Sequence, residues 1–449
     1  MAEAEATAGS PVRLRRALSL WDLVFYGIVL IQPTAPMPLF GVVSVEARGH
    51  VVTTVLIAMV GMLFTAISYG RMARAYPAAG SAYTYVGREL HPGLGYLTGW
   101  SMAMDYMLNP ILCTIWCSKA ALNIFPDTPY AFWAVFFATL FTGLNLRGIK
   151  AAARTNEVVA AGLGVVIVLF FIAAIRYLSA SALTVADLTR PFYDPRTFDM
   201  DLVFTGTSIA VLTYIGFDGI STLSEEVKDP RRNILRATVL TCLITGVLAS
   251  LEVYAAQLVW PQYDQFPDVD TAFVYVAGRA GGVWLLQLVN FALLVATVGS
   301  GTGSQLAAAR LLYGMGRDDA IPKRFFGAVE PRRRIPRNNV LFLGALALAG
   351  AFVLSYQLAA EMLNFGAFVA FMGVNLAAFW RYWVRGKKKT LTHFLPPLLG
   401  FTICCYIWLS LRWTARLAGF CWLGFGILWG ALRTRGFQRN LVHFDMPED

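Results

Sequence analysis

Four groups of residues in this chain have the types and spacing to handle ions or an amine. The first is Ile31-Gln32-Pro33-Thr34-Ala35-Pro36, followed by Pro38, all inside one apolar run. The second is Leu212 with Ile215-Gly216-Phe217-Asp218-Gly219, inside a later run. The third is Asp105-Tyr106 with Asn109; Asp105 and Asn109 are four residues apart and share a helix face. The fourth is the pair Ser300 and Thr302 within Gly299-Ser300-Gly301-Thr302-Gly303-Ser304. An acid at the centre of a bilayer costs about 2.5–3.5 kcal/mol, so Asp218 and Asp105 are functional candidates by default. Asp218 has the chemistry to pair with an amine, carry a coupling proton or gate a pathway, and gating or proton work is favoured. Asp105 could serve the same ends or make a structural hydrogen bond. Ser300 and Thr302 form a candidate sodium site, with close packing of small residues as the plainer alternative.

The prolines and glycines explain why these groups belong together. Proline lacks an amide hydrogen and clashes with the preceding turn, so no helix runs undisturbed through Pro33, Pro36 and Pro38. Gly216 and Gly219 loosen the later run. Unwound backbone in a bilayer must be buried in protein or line a polar cavity. Amides opening a second half-helix suit a carboxylate, and carbonyls closing a first half-helix suit a cation or ammonium group. A cavity with both features fits an amino acid or a related amine.

The composition sets the frame for these breaks. Of 449 residues, 57% are hydrophobic and only 14% charged, with a mean hydropathy of +0.57. Soluble chains carry about 25% charged residues, so this is an all-α membrane protein, its long apolar runs being helices. With about twenty residues per span there are about twelve spans, starting near Leu20, Val51, Leu94, Tyr130, Val158, Leu202, Ile234, Trp284, Val340, Leu358, Phe394 and Leu417. The net charge of +10 reflects basic loops on one side and not a nucleic-acid partner. Arg13, Arg15 and Arg16, then Arg71, Arg74 and Arg88, then Arg147, Lys150 and Arg154, then Lys228, Arg231, Arg232 and Arg236 alternate with base-poor loops at 123–129 and 260–270. Further basic groups are Arg317, Lys323, Arg324 and Arg332 to Arg334, then Arg385 and Lys387 to Lys389, and Arg433, Arg435 and Arg439. The loop with Arg190 and Arg196 breaks the pattern, beside four aspartates. The positive-inside rule puts both termini in the cytoplasm, as an even number of spans requires.

Spans one to five and six to ten form two halves with the breaks in corresponding positions. An odd number of spans per half inverts the second half, which predicts a five-plus-five inverted repeat with substrate at the paired breaks. The domain division is then 1–17, a cytoplasmic N-terminal segment; 18–384, a ten-helix transport core; 385–433, two C-terminal helices; and 434–449, a cytoplasmic tail. The segment before Arg16 lacks the apolar core of a cleaved signal peptide.

Other chemistries find little support. The six cysteines lie in apolar runs without metal or redox spacing. The four histidines sit in connectors or at span ends, which argues against an embedded enzyme, and no cofactor or metal is expected. A channel would have no use for a broken-helix pocket.

Several motifs resemble the amino acid–polyamine–organocation superfamily of permeases, most closely its bacterial putrescine-importer-type branch. They are Gly49-His50-Val51, Leu63-Phe64-Thr65-Ala66-Ile67-Ser68-Tyr69-Gly70, Pro77-Ala78-Ala79-Gly80-Ser81-Ala82-Tyr83-Thr84-Tyr85, Gly99-Trp100-Ser101 with Asp105-Tyr106, Ile215-Gly216-Phe217-Asp218 with Leu223-Ser224-Glu225-Glu226, Arg310-Leu311-Leu312-Tyr313 with Met315-Gly316-Arg317-Asp318, and Asn364-Phe365-Gly366-Ala367-Phe368. The resemblance implies the ten-helix inverted-repeat fold with two extra helices, and alternating access. It places substrate contacts at the first-span break, near Tyr106 and Asn109, and from Leu212 to Asp218. Three departures stand out: Leu212 where relatives often have an aromatic gate, Pro38 where polyamine importers resembling this chain have an acid, and Leu163 where proton-coupled relatives can have a lysine. The expected function is secondary-active import of an amino acid or small organic amine across the plasma (inner) membrane, coupled to a proton or sodium gradient. A putrescine-like polyamine importer, an exchanger and a non-transporting nutrient sensor are the alternatives.

Overall fold

The computed structural model describes residues 18–76, 81–147, 153–223, 227–317, 321–330, 335–387 and 389–434. The N-terminal segment, the tail after Thr434, motif residues 77–80 and 224–226, Asp318, and the basic residues Arg13, Arg15, Arg16, Lys150, Arg332 to Arg334, Lys388, Arg435 and Arg439 lie outside that set. The described residues are helical, with a single isolated bridge between Leu18 and Val227.

The chain enters its first apolar run through a capping box. The Ser19 hydroxyl accepts from the Asp22 amide at 3.4 Å while Asp22 accepts from the Ser19 amide at 2.8 Å, satisfying amides that helix geometry leaves free. Helix α1 (Leu20–Ile31) then stops, and α2 (Phe40–Glu46) resumes after eight residues of turns. Helix α3 (Val51–Ala75), α4 (Ser81–Glu89), α5 (Pro92–Leu122), α6 (Tyr130–Leu146) and α7 (Ala153–Ser179) complete the first half of the chain. After the short α8 (Val185–Thr189), α9 (Met200–Ala210) passes into two 3-10 segments, Val211–Tyr214 and Phe217–Leu223. Helix α10 (Pro230–Val259) follows, then α11 (Ala272–Arg317), bent at Gly282 where φ is 79°. The short α12 (Lys323–Phe326), α13 (Arg337–Val353) and α14 (Tyr356–Phe379) lead into a π-helical end over Trp380–Val384. Helices α15 (Leu391–Leu409) and α16 (Trp413–Thr434) close the bundle. Among the described residues, eight helices are long and apolar enough to cross a membrane, and three further apolar helices are shorter.

Five helices organise the interior. Helix α3 lies along α10, and α5 packs against both α11 and α14. Helix α1 rests on α10, and the broken segment from α9 rests on α3. Helix α7 packs against α10 and α11, α14 against α3 and α5, and α6 against α13.

The C-terminal pair is fastened to the outside of this core. Trp100 and Trp422 stack with ring centroids 4.8 Å apart. Each indole N–H donates to the other residue's carbonyl at 2.9 Å, so neither ring buries an unpaired donor. The approach needs Gly426, where a Cβ would lie 2.4 Å from the Trp100 ring. Gly426→Val is expected to cost about 1–3 kcal/mol through overpacking. A lowered melting temperature in detergent, with substrate binding intact, is the result that checks this peripheral role for α16.

Candidate functional site

The first break is built by missing amides. In a continuous helix the carbonyls of Val29, Gln32 and Thr34 would accept from residues 33, 36 and 38, which are all prolines. The chain instead makes a series of shorter turns, Ala35 N–H to Gln32 O at 3.1 Å, Met37 N–H to Thr34 O at 3.0 Å and Leu39 N–H to Pro36 O at 3.2 Å. Gln32 turns the backbone out of α1 at φ 70°, an uncommon angle for a residue with a Cβ. Two bonds hold it there: its amide donates to Ile28 O at 3.0 Å, and its side-chain Nε2 donates to Ala296 O on α11 at 3.3 Å. Thr34 and Pro36 are buried, while Gln32, Pro33 and Ala35 keep part of their surface accessible.

The second break mirrors the first. Ile215 is extended after the 3-10 turn, and Gly216 takes φ 122°, which a side chain would strain. The carbonyls at the end of α9 are taken up by a residue from another helix: Asn364 Nδ2 on α14 donates to Ser208 O at 2.7 Å and Ile209 O at 3.3 Å. The Tyr214 hydroxyl donates to Val55 O at 2.9 Å. The Asp218 carboxylate accepts from backbone amides of the break itself, at Gly216, Asp218 and Gly219.

The two breaks touch. A Cβ on Gly216 would lie 3.4–3.5 Å from Ile31, and one on Gly219 would meet Leu30 at 2.4 Å. The middle of α5 closes the third side. Asp105 and Tyr106 lie within electrostatic range of Asp218, and Tyr106 also of Tyr26 on α1. Asp105, Tyr106, Asn109, Leu212, Ile215 and Asp218 all retain partial accessibility inside the bundle. Pro110 removes the helical donor for the Tyr106 carbonyl, so α5 leaves a carbonyl without its helical donor on the residue next to Asp105. Phe217 points away, edge-on to Tyr69 at 5.5 Å and against Phe371 at 5.6 Å, forming a buried aromatic layer with Tyr85.

Ser300 and Thr302 stand elsewhere. Ser300 bonds with Cys113 on α5, whose thiol donates to Asn109 Oδ1 at 3.1 Å. The Thr302 hydroxyl donates to Val298 O at 2.8 Å, and its carbonyl accepts from Asn145 on α6 at 3.0 Å. The small residues around them are divided: Gly301 packs on Phe141 and Cys113, while Gly299 and Gly303 face open space.

Polar ties close both ends of the bundle. At the arginine-rich end, buried Glu89 pairs with Arg381 and accepts from the Tyr76 hydroxyl at 2.7 Å. There too Lys228 N–H donates to Leu18 O at 2.9 Å, joining the entry of the first broken segment to the exit of the second. At the other end Lys119 meets Asp268 at 3.5 Å and Asp270 at 3.7 Å. Burial pushes the Asp270 carboxyl up, against the pull of that ammonium group. Arg412 pairs with Glu361 at 2.9 Å.

Sequence reading located both breaks and both central acids but missed two residues. Asn364 was noted within a motif, with no role for its amide. Glu252, wholly buried in α10, was passed over although it is the one carboxyl in the apolar run 237–259; the cost of an intramembrane acid was signal enough to mark it.

Comparison with known proteins follows the same lines. The amino acid permease family model matches residues 22–429. The chain is 36% identical to the low-affinity putrescine importer PlaP of Escherichia coli, over 97% of each chain. It is 25% identical to the branched-chain amino acid permease BcaP of Bacillus subtilis over 94% of each. It is 28% identical to the vacuolar cationic amino acid transporter 4 of Arabidopsis thaliana, over 81% of this chain and 63% of that one. These relatives are transporters, and none is named as an enzyme.

Asn364→Leu leaves the Ser208 and Ile209 carbonyls without their side-chain donor. The expected cost is about 1–3 kcal/mol, read as a lower melting temperature together with weakened substrate binding. Unchanged binding would show that the α9 end tolerates the loss without moving the second break.

Proposed function

The chain belongs to the amino acid permease family, and on that premise we propose that it is a secondary-active importer of a small organic amine or amino acid, working by alternating access. One observation carries the reading: two broken segments meet at Ile31 and Gly216, beside Asp105, Tyr106 and Asp218. The Val29 carbonyl, which Pro33 leaves without its helical donor, together with the Tyr106 carbonyl, suits the ammonium group of a substrate. Asp105 is the acid free to pair with it, because Asp218 is engaged by the amides of its own break. That engagement suits Asp218 to gating or proton coupling, since a change in its charge alters the bonds that shape the second break.

The E. coli relative, a putrescine importer, makes a diamine of the putrescine type the first substrate to test. Two ammonium groups call for two acids, and for Asp218, within electrostatic range of Asp105, to serve as the second it would have to leave the amides of its own break. Amino acids are the second reading, favoured by Pro38, which supplies no acid at the first break. Proton coupling is favoured over sodium. The Gln32 amide donates to Ala296 O, so this carbonyl already has a donor at the place where a cation between the first segment and α11 would need it. The Ser300 hydroxyl bonds with Cys113 on α5, and the Thr302 hydroxyl donates to Val298 O in its own helix.

The packing supports twelve spans with an inverted repeat. Exchanging the first five spans for the next five maps α1-on-α10 onto α9-on-α3, and α7-on-α11 onto α14-on-α5. The basic loops support cytoplasmic termini and residence in the plasma membrane.

Purified protein in liposomes with an acidic exterior is expected to accumulate labelled putrescine or an amino acid saturably, with choline able to replace sodium. Binding without flux would identify a sensor instead. Asp218→Asn is expected to fold normally and lose about tenfold or more of this uptake; full uptake would remove Asp218 from the mechanism. Pro38→Glu is expected to shift competition toward diamines over monoamines, and no shift would place selectivity elsewhere.

A further inference from the structure

Three carboxyl groups are fully buried among the described residues: Glu89, Glu252 and Glu361. Glu89 holds Arg381 and Glu361 holds Arg412. Glu252 has no exposed surface, and neither of its oxygens has a hydrogen-bond partner. An unpaired carboxylate in such a place is far too costly to persist, so the group is neutral and carries a proton in this conformation.

Its position gives that proton a use. Glu252 is eleven residues beyond Thr241, which returns it to the same face of α10 about 16 Å further along. Thr241 marks that face: its hydroxyl donates to Val24 O on α1 at 3.4 Å. Helix α1 ends at Ile31, so the rise carries Glu252 past its end, to the level of the turns at residues 32–39. Two turns beyond Glu252, on the same face again, Val259 lines a cavity of about 210 Å³ with Tyr177, Asp187, Arg190, Gln257 and Arg279. A line along α10 thus runs from the first broken segment, past Glu252, to a cavity of mixed lining, with Asp187, Arg190 and Arg279 on its wall, at the end of the helix.

The helices around α10 bring few competing groups. Helix α3 has no ionisable residue from Val51 to Ser68, and α7 has none from Val158 to Ile175. Helix α1 brings Asp22 and Tyr26, both on its accessible surface. The α9 segment brings Asp201 at its start, Tyr214, whose hydroxyl is bonded to Val55 O, and Asp218 on the 3-10 turn Phe217–Leu223 that packs against α10, its carboxylate held by amides of its own break. The start of α11 brings Tyr275, bonded to Asn123, and Arg279, bonded to Tyr177.

We propose that Glu252 is a proton-binding site of the transport cycle, holding its proton while the first break is packed as described and exchanging it with water of the outer cavity when that break moves. The carboxyl gives its proton to water and becomes a carboxylate, then takes a proton back before it is buried again. The idea rests on the proton-coupled reading above, and goes beyond it by naming a carrier outside the substrate site.

The test uses Glu252→Gln and Glu252→Asp in liposomes, comparing accumulation driven by a pH gradient with exchange of labelled for unlabelled putrescine at equal pH. Glu252→Gln is expected to lose about tenfold or more of the gradient-driven accumulation and to keep exchange within about twofold. Glu252→Asp is expected to restore accumulation with a displaced pH profile. Wild-type accumulation by the Gln variant overturns the proposal. So does loss of exchange together with accumulation in monodisperse protein, which would assign Glu252 to substrate binding or structure. If the Gln variant does not fold, an unaltered pH profile in the Asp variant overturns it. Absence of exchange by the unaltered protein would overturn the transport reading itself, and this role with it.

Discussion

A backbone amide or carbonyl inside a bilayer has no water to turn to, and that constraint shapes the centre of this protein. The chain breaks two helices where that is most expensive and then satisfies most of the released groups from unusual sources. At the first break the turns among Gln32, Thr34, Met37 and Leu39 consume several amides, and the Gln32 side chain reaches across to α11. At the second, Asn364 comes from α14 to the end of α9, and the Asp218 carboxylate takes amides of its own segment. What these arrangements leave over is a small set of carbonyls and two acids facing one another. Unsatisfied polarity of that kind is what a bound amine can complete.

The same constraint explains how firmly the surroundings are built. Buried aromatic rings of Tyr69, Phe217 and Phe371 fill the space below the second break, excluding water on that side. Polar ties lie at the two ends of the bundle, at Glu89 with Arg381 and at Lys119 with Asp268. The partly exposed Lys119–Asp268 pair contributes little stability, whereas separating Arg381 from buried Glu89 would leave an uncompensated carboxylate, so the first contact is the easier of the two to open. The bond from Lys228 to Leu18 links the two broken segments directly, so that movement of one is felt by the other.

Much of this was legible in the sequence because prolines, glycines and intramembrane acids have strong local consequences. Pro33, Pro36 and Pro38 locate the first break without any structure, and Gly216 beside Asp218 locates the second. The expected starts at Leu20, Val51 and Tyr130 coincide with helix starts, and the others fall within or beside helices. What could not be read were contacts between distant segments. Nothing local indicates that Gln32 bonds to residue 296, that Asn364 serves α9, or that Ser300 turns toward Cys113 on α5 while the Thr302 carbonyl accepts from α6. His50 is instructive: its motif suggested family identity, whereas its ring bonds Ala47 O at 2.9 Å and accepts from the Asp194 amide at 3.0 Å, pinning the connector after α2. Glu252 shows the opposite failure, a signal present in the sequence but overlooked because no break accompanies it.

The central claim is that substrate sits where the two broken segments meet. A cryo-electron microscopy map of the protein in lipid nanodiscs, with its transported amine bound, tests this most directly. The account predicts density for the amine between residues 32–36 and 215–218, with an ammonium group within hydrogen-bonding distance of Asp105 or of a carbonyl of the first break. Density confined to the cavity by Arg190 and Arg279, with the junction of Ile31 and Gly216 still packed shut, would contradict it.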